Sequence, residues 1–178
     1  MGTAGSFTVT ATGYPAPTFS ETGVLPSGVT LSSGGSFSGT PAPGTGGTYV
    51  ITITASNGIG TNATQTFTLT VKDFSVTANP TSASVKKNKT TSNVSTITVT
   101  SIGGFSGTVS FTCSYAGTPS GTTCSLSPSS AAVSASSPGS TSVTISVTAN
   151  STGSGTAQIT ATSGTIVEST SLSVTVIN

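Results

Sequence analysis

The two cysteines, Cys113 and Cys124, are the residues whose type and spacing point most directly to covalent chemistry. Both fall on the inward phase of strand-like runs that are separated by a turn containing Gly and Pro. A disulfide between them would close a loop of about 12 residues and contribute about 3 kcal/mol in the chain-entropy model. The alternative is two free buried thiols that behave as small hydrophobic side chains. We expect the disulfide, which favours an oxidising, extracytoplasmic location.

Catalytic side chains are scarce and scattered. The chain has no His, and its three acids are Glu21, Asp73 and Glu168. A serine or cysteine nucleophile needs a base oriented by a third group, and glycosidases need two facing carboxylates. Calcium takes about 6–8 oxygen ligands, usually several of them carboxylates, and zinc sites need further His or Cys. We therefore expect no enzyme, no metal and no cofactor.

A lysine cluster suggests one further covalent option, an intramolecular Lys–Asn isopeptide bond promoted by a buried acid. Lys86, Lys87 and Lys89 lie early in the second half of the chain, whereas Glu168 and Asn178 lie late. The alternative is that Lys87-Asn88-Lys89 is a polar turn and that Glu168 faces solvent. The second interpretation is favoured.

Aromatic side chains indicate where a sugar could bind, because an exposed ring beside polar groups can stack on a sugar ring. The chain has no Trp, and the two candidates are Tyr14 and Tyr115. Tyr14 precedes Pro15 in a loop, which favours exposure. Tyr115 ends an inward-facing run, which favours the core. Polysaccharide binding is therefore kept as an alternative, with Tyr14 as its better candidate.

Composition excludes several classes of partner. Only 4% of the 178 residues are charged, against about 25% in ordinary soluble domains, and about two in five are Ser or Thr. The net charge is +1 without any Arg, so no basic face could follow a phosphate backbone, and nucleic acid is excluded as a partner. No apolar stretch approaches the roughly 18–20 residues that span a bilayer, so membrane insertion is not expected. The mean hydropathy of +0.23 argues against disorder.

The elements that must hold these candidate residues in place are strands, because apolar residues alternate with Ser and Thr almost throughout the sequence. Such runs lie at 49–55, 67–71, 109–115, 157–161 and 172–176. Clusters of Gly, Pro and Asn separate them, as in antiparallel sandwiches with one face on a core. A closing strand ends at Val71 and an opening strand begins at Phe74, with the adjacent charges Lys72 and Asp73 between them. The sequence predicts an all-β chain of two tandem Ig-like antiparallel β-sandwiches, residues 3–72 and 73–178.

The first domain resembles bacterial Ig-like domains of the He-PIG type, which are similar to cadherin-like sandwiches. The resemblance rests on Phe7-Thr8-Val9-Thr10, Leu25-Pro26-Ser27-Gly28-Val29, Phe37-Ser38-Gly39-Thr40-Pro41 and the run from Tyr49 to Gly58. Pro26 presets φ for a turn that Gly28 completes, which lets Leu25 and Val29 both point inward. Tyr49 opens a strand and is expected to act like a tyrosine corner, with its hydroxyl bound to nearby backbone.

The second domain resembles an Ig-like repeat of secreted bacterial proteins. The motifs that carry this resemblance are Phe74-Ser75-Val76-Thr77-Ala78-Asn79-Pro80, Gly103-Gly104-Phe105-Ser106-Gly107, Pro119-Ser120-Gly121 and Ser127-Pro128-Ser129. The resemblance implies an appendage beside catalytic domains or within surface proteins.

These observations together predict a non-catalytic, extracellular or cell-surface module of a larger bacterial protein, acting as a spacer or an adhesion domain. Its expected partners are neighbouring domains, and beyond them a polysaccharide or a cell-surface ligand. The alternatives are a carbohydrate-binding accessory module of a secreted enzyme, and a filament or phage virion component that self-associates through sheet edges. Met1-Gly2 runs directly into strand-like sequence without a secretory signal, so we expect a segment excised from a longer protein.

Overall fold

A computed structural model describes residues 4–119, 121–136 and 140–178, and for 140–145 it describes the backbone alone. Over these ranges the chain is all-β, as predicted, with fifteen strands. It divides into two compact units, Met1–Asp73 and Phe74–Asn178. None of the described segments is a helix of the length and apolarity needed to cross a membrane.

The first unit contains six strands in two three-stranded antiparallel sheets. One sheet has the order β1-β4-β3 and the other has the order β2-β5-β6. The strands are β1 (Gly5–Thr8), β2 (Thr18–Thr22), β3 (Val29–Leu31), β4 (Ser36–Gly39), β5 (Gly47–Ser56) and β6 (Ala63–Val71). β5 and β6 pair without a register shift from Gly47↔Val71 to Ala55↔Ala63, so the two long strands form the frame of this unit.

The core of the first unit is small and lies between the two sheets. Phe37, Ile51 and Ile53 are buried, and Phe19 and Phe67 are among the half-buried residues packed against them. Ile51 and Ile53 occupy alternate positions of β5, because side chains two apart on a strand share a face. The alternation read from the sequence therefore identified the correct face of β5.

Two local predictions for the first unit are confirmed. The N–H of Val29 donates to the carbonyl of Pro26 at 3.1 Å, Gly28 has a φ of 86°, and both Leu25 and Val29 pack on the core. The Tyr49 hydroxyl donates to the carbonyl of Thr45 at 2.7 Å, so Tyr49 bonds to nearby backbone as a tyrosine corner does.

The second unit is larger, with sheets of five and four strands. The five-stranded sheet has the order β12-β10-β14-β15-β8, and the four-stranded sheet has the order β11-β13-β9-β7. The strands are β7 (Asp73–Asn79), β8 (Ser82–Lys86), β9 (Lys89–Ile102), β10 (Gly107–Gly117), β11 (Thr123–Ser127), β12 (Ser130–Val133), β13 (Ser140–Ala149), β14 (Gly153–Ser163) and β15 (Ile166–Ile177).

One strand pair of the second unit is parallel, whereas the sequence predicted antiparallel pairing alone. β8 runs parallel to β15, from Ser82↔Ser173 to Lys86↔Ile177. The cause is that the chain leaves the four-stranded sheet after β7 and joins the five-stranded sheet at β8. The change comes at Pro80, which has no N–H to continue the hydrogen-bond ladder of β7. Ser95 holds this crossing by donating from its hydroxyl to the carbonyl of Pro80 at 2.7 Å.

The core of the second unit is filled by aliphatic side chains at alternating positions of both sheets. The side chains below 2% exposure are the aromatic Phe74 and eleven aliphatic ones, namely Val85, Ile97, Val99, Val109, Val147, Ala149, Ala157, Ile159, Ala161, Leu172 and Val174. Such side chains suit close packing between two pleated faces. The predicted inward sets at 157–161 and 172–176 are therefore confirmed.

Candidate functional site

The two predicted cysteines form a disulfide that links the two sheets of the second unit. Cys113 lies on β10 opposite Ile159, and Cys124 lies on β11 opposite Val147. The bond joins the five-stranded sheet to the four-stranded sheet, and both half-buried cysteines pack against the core. The expected disulfide is therefore present.

Tyr115 lies two residues beyond Cys113 and supports the adjoining loop. Its ring packs against the core, and its hydroxyl donates to the carbonyl of Thr118 at 2.9 Å. The ring also lies over Gly155 of the neighbouring strand, where a Cβ atom would meet it. Thr118 is also bound to the neighbouring strand, because its N–H donates to the carbonyl of Ser154 at 2.9 Å. The structure thus gives Tyr115 a structural role.

Tyr14 is placed differently, at the tip of the loop between β1 and β2. Its side chain is 94% exposed. The loop is fixed to the β5–β6 hairpin, because the Asn57 amide donates to the carbonyl of Pro15 at 3.3 Å. The Asn57 side-chain oxygen also accepts the N–H of Ile59 at 3.1 Å, and Ile59 is itself 67% exposed. One end of the first unit therefore presents an exposed ring and an exposed aliphatic side chain.

The acids are not assembled into a reactive group. Glu21 lies on β2 opposite Ile53, Asp73 begins β7 and is buried, and Glu168 lies on β15 opposite Ala161. No cluster of three or more His, Cys, Asp or Glu that could hold a metal ion occurs within the part of the chain that the structure describes. Glu21 and Glu168, the only pair considered for glycosidase chemistry, belong to different units.

Lys87 and Asn88 form an exposed turn between β8 and β9, with the exposed Lys86 ending β8 and the exposed Lys89 beginning β9, which agrees with the polar-turn interpretation. Asn88 has a φ of 57°, and its N–H donates to the carbonyl of Ala149 at 2.7 Å. Lys86 is level with Ile177 on β15. Glu168 is nine residues earlier on the same strand, about 30 Å away at about 3.3 Å per residue. Glu168 is therefore too distant to promote an isopeptide bond at Lys86.

Sequence reasoning missed a cluster of three rings in the first unit. Phe7 stacks on Phe37 with ring centroids 4.8 Å apart, and it contacts Phe67 at 4.9 Å. Phe7 nevertheless stays 40% exposed. The sequence shows that Phe7 and Phe67 alternate with Thr. It does not show that their two strands lie next to each other, because that depends on the order of strands in the two sheets.

The family comparison agrees with this architecture. The model of the He_PIG family, described as "Putative Ig domain", matches residues 1–72. No curated protein matches the chain significantly.

Several solved structures resemble the chain at low sequence identity. Domains 4 and 5 of the S-layer protein SbsC are 22% identical, with a TM-score of 0.43 over 91% of this chain and 70% of that one. The N-terminal four Ig domains of Dscam1 isoform 8.4 are 15% identical, with a TM-score of 0.37 over 99% of this chain and 41% of that one. The endo-fucoidan hydrolase MfFcnA4 of glycoside hydrolase family 107 is 15% identical, with a TM-score of 0.34 over 98% of this chain and 27% of that one. The He_PIG match over residues 1–72 spans the unit that has two three-stranded sheets and the tyrosine corner, and over this part the chain is similar to that family.

Proposed function

We propose that the chain is a non-catalytic Ig-like module that spaces neighbouring domains of a larger extracellular protein and carries mechanical load between them. The observation that carries the proposal is the parallel pair of β8 and β15 in the second unit. β8 lies close to the point where the chain enters this unit, and β15 is its last strand.

The parallel pair resists tension for a geometric reason. When the chain is pulled from both ends of the unit, two parallel strands are drawn in opposite directions along their length. Their hydrogen bonds are then loaded together in shear rather than broken one after another. The pairing runs from Ser82↔Ser173 to Lys86↔Ile177, and the N–H of Lys87 extends it by donating to the carbonyl of Ile177 at 3.0 Å.

The extracellular part of the proposal is supported by the disulfide. Bonds such as Cys113–Cys124 persist in oxidising compartments and are rare in the cytosol. This bond also ties β10 to β11 across the two sheets, so it limits how far the second unit can extend once its other contacts break.

The spacer function is tested by stretching single molecules of the full chain between handles at its two ends. We expect the second unit to unfold in one step, and Lys87→Pro, which removes the donor to Ile177, to lower its unfolding force. Lys87→Ala keeps the backbone N–H and is the matched control. Equal unfolding forces for the two variants, both equal to the parent, would exclude a load-bearing β8–β15 pair.

Carbohydrate binding is a second candidate, supported by the 94% exposure of Tyr14 on a loop fixed by Asn57. An exposed ring on a fixed loop loses little conformational freedom when a sugar stacks on it. We expect insoluble polysaccharides to retain the parent chain and to lose Tyr14→Ala, whereas Val24→Ala, which truncates another exposed apolar side chain, binds like the parent. Retention that is unchanged in Tyr14→Ala, or absent in the parent, would remove this candidate.

A further inference from the structure

The first unit has two open strand edges on the same side of its sandwich. β1 ends one sheet and β6 ends the other. Contact between the rings of Phe7 on β1 and Phe67 on β6, at 4.9 Å, places the two edges side by side. In the described part of this unit, no strand pairs with the outer edge of either. We call β1, β6 and these two rings the β1–β6 seam.

The second unit shows what occupies the equivalent position. Both units end in a long antiparallel hairpin, β5–β6 in the first and β14–β15 in the second. The outer edge of β15 is covered by β8, and β7 extends the opposite sheet next to β9. Ig-like sandwiches of the constant type have seven strands, whereas the described first unit has six. Within residues 4–73, the β1–β6 seam is therefore a strand position that no strand of this unit fills.

The chemistry of β6 leaves this edge unprotected. Natural proteins protect edge strands by charge, proline, bulges or short length. β6 has nine residues, Ala63–Val71, with no charge, Pro or Gly, and its pairing with β5 has no bulge. Most other edge strands in the described chain carry such protection, since β2 contains Glu21, β7 contains Asp73 and β8 contains Lys86. The edge strand β11 has no charge or Pro, but with five residues it is much shorter than β6. β1, β3 and β12 have four residues or fewer.

Exposed apolar surface accompanies the open edge. Phe7 stays 40% exposed although it stacks on Phe37, and Phe67 is half-buried. On the other face of β6, the alternate threonines from Thr64 to Thr70 are exposed. A strand added along β6 would pair its free backbone groups and cover Phe7 at the same time.

We propose that a second copy of the chain occupies the β1–β6 seam, with the β6 strands of the two copies paired antiparallel across a two-fold axis. An uncharged strand can pair with itself without opposing like charges. Antiparallel pairing places the two copies of Lys72, next to the end of β6, at opposite ends of the nine-residue ladder, about 30 Å apart at about 3.3 Å per residue. Parallel pairing would bring the same two lysines together. This inference goes beyond the spacer function and does not depend on it.

The dimer is expected to be reversible, because a single strand pair with one exposed ring covers less area than a standard stable interface. Sedimentation equilibrium of the full chain, from about 10 μM to about 1 mM, should show the average mass rising from monomer towards dimer. Hydrogen exchange at the same concentrations should show the amides of β6 becoming slower, while those of β3 do not change. A parent chain that stays monomeric over this range would overturn the proposal.

Charge variants locate the contact. Thr66→Lys with Thr68→Lys puts four lysines around the two-fold axis and should weaken association about tenfold or more. The matched control is Ser20→Lys with Thr22→Lys, which adds the same charge on exposed positions of β2, at the other edge of the same sheet. Association that is weakened equally by both pairs of substitutions would contradict pairing through β6.

Mixing two variants separates a contact from a loss of folding. Thr66→Glu with Thr68→Glu should be monomeric alone, for the same reason as the lysine variant. An equimolar mixture of the lysine and glutamate variants should regain the dimer, because opposite charges then face each other. A mixture that stays monomeric, while the parent dimerises, would show that the dimer forms elsewhere.

Discussion

The hydroxyls of Tyr49 and Tyr115 each donate to a backbone carbonyl a few residues away in their own unit, at 2.7 and 2.9 Å. Thr122 does the same to the carbonyl of Pro119, and the hydroxyl of Ser95 donates to the carbonyl of Pro80, 15 residues earlier in the chain. Within the described residues, every buried side-chain nitrogen or oxygen has a hydrogen-bond partner. In a chain with only 4% charged residues, hydroxyls therefore supply the polar contacts that fix loops to strands, which the composition alone did not reveal.

The two tyrosines allow a matched prediction at this scale. Tyr49→Phe should lower the free energy of unfolding of the first unit by about 1 kcal/mol, and Tyr115→Phe should do the same for the second. Each removes one hydroxyl donor and keeps the ring. Denaturant unfolding followed by NMR signals of each unit measures both effects. If either variant lowered the free energy of unfolding of the other unit, or of both units, these assignments would be wrong.

The disulfide gives a larger effect. Replacing both Cys113 and Cys124 by Ala should lower the free energy of unfolding of the second unit by about 3 kcal/mol, because the unfolded chain regains the freedom of the closed loop. The same denaturant experiment measures it. Adding reductant to the parent should reproduce the loss, and adding it to the double variant should have no effect. Were the reduced parent as stable as the oxidised one, the bond would not stabilise the fold.

At the scale of the element, alternation predicted which residues face the core but not which strands pair. Ile51 and Ile53 on β5 were assigned correctly because the two-residue period fixes the face. The parallel β8–β15 pair was missed because period-two alternation is the same in parallel and antiparallel ladders. The pairing of β9 with β13 shifts register between Ile145 and Val147, near Asn93, which has a φ of 56°. No local sequence pattern predicted this shift.

The candidate sites also differ in whether local sequence was enough to predict them. The disulfide could be predicted, because two cysteines on inward phases of successive strands needed only local information. The exposure of Tyr14 also followed from its place before Pro15 in a loop. The β1–β6 seam could not be predicted, because whether β6 is an edge depends on the order of strands far apart in sequence.

The turn between Leu25 and Val29 offers a prediction for a whole element. Gly28 has a φ of 86°, and an added Cβ would meet the carbonyl oxygen of Thr40. Gly28→Ala should therefore lower the free energy of unfolding of the first unit by about 3 kcal/mol or more. Gly44 has a φ of 72° and open space around it, so Gly44→Ala should cost only about 1 kcal/mol. Thermal unfolding of the two variants checks this, and equal losses would mean that the contact with Thr40 is relieved at no cost.

At the scale of the whole molecule, the chain consists of two Ig-like units with separate cores. Phe37, Ile51 and Ile53 form the centre of the first, and a larger, mainly aliphatic set forms that of the second. The first is the smaller unit, and among its described residues no strand lies along the β1–β6 seam, whereas the second has β7 and β8 at the corresponding edges and is linked by a disulfide. These differences predict that the second unit is the more stable one.

The most direct test of this account is hydrogen exchange of the full chain, followed by mass spectrometry across a denaturant series. We predict two cooperative transitions, in which residues of the first unit lose protection at lower denaturant than residues of the second. Tyr49→Phe should shift the first transition alone, and loss of the Cys113–Cys124 bond should shift the second alone. A single transition in which both units lose protection together would contradict the claim that this chain is a tandem of two autonomous Ig-like modules.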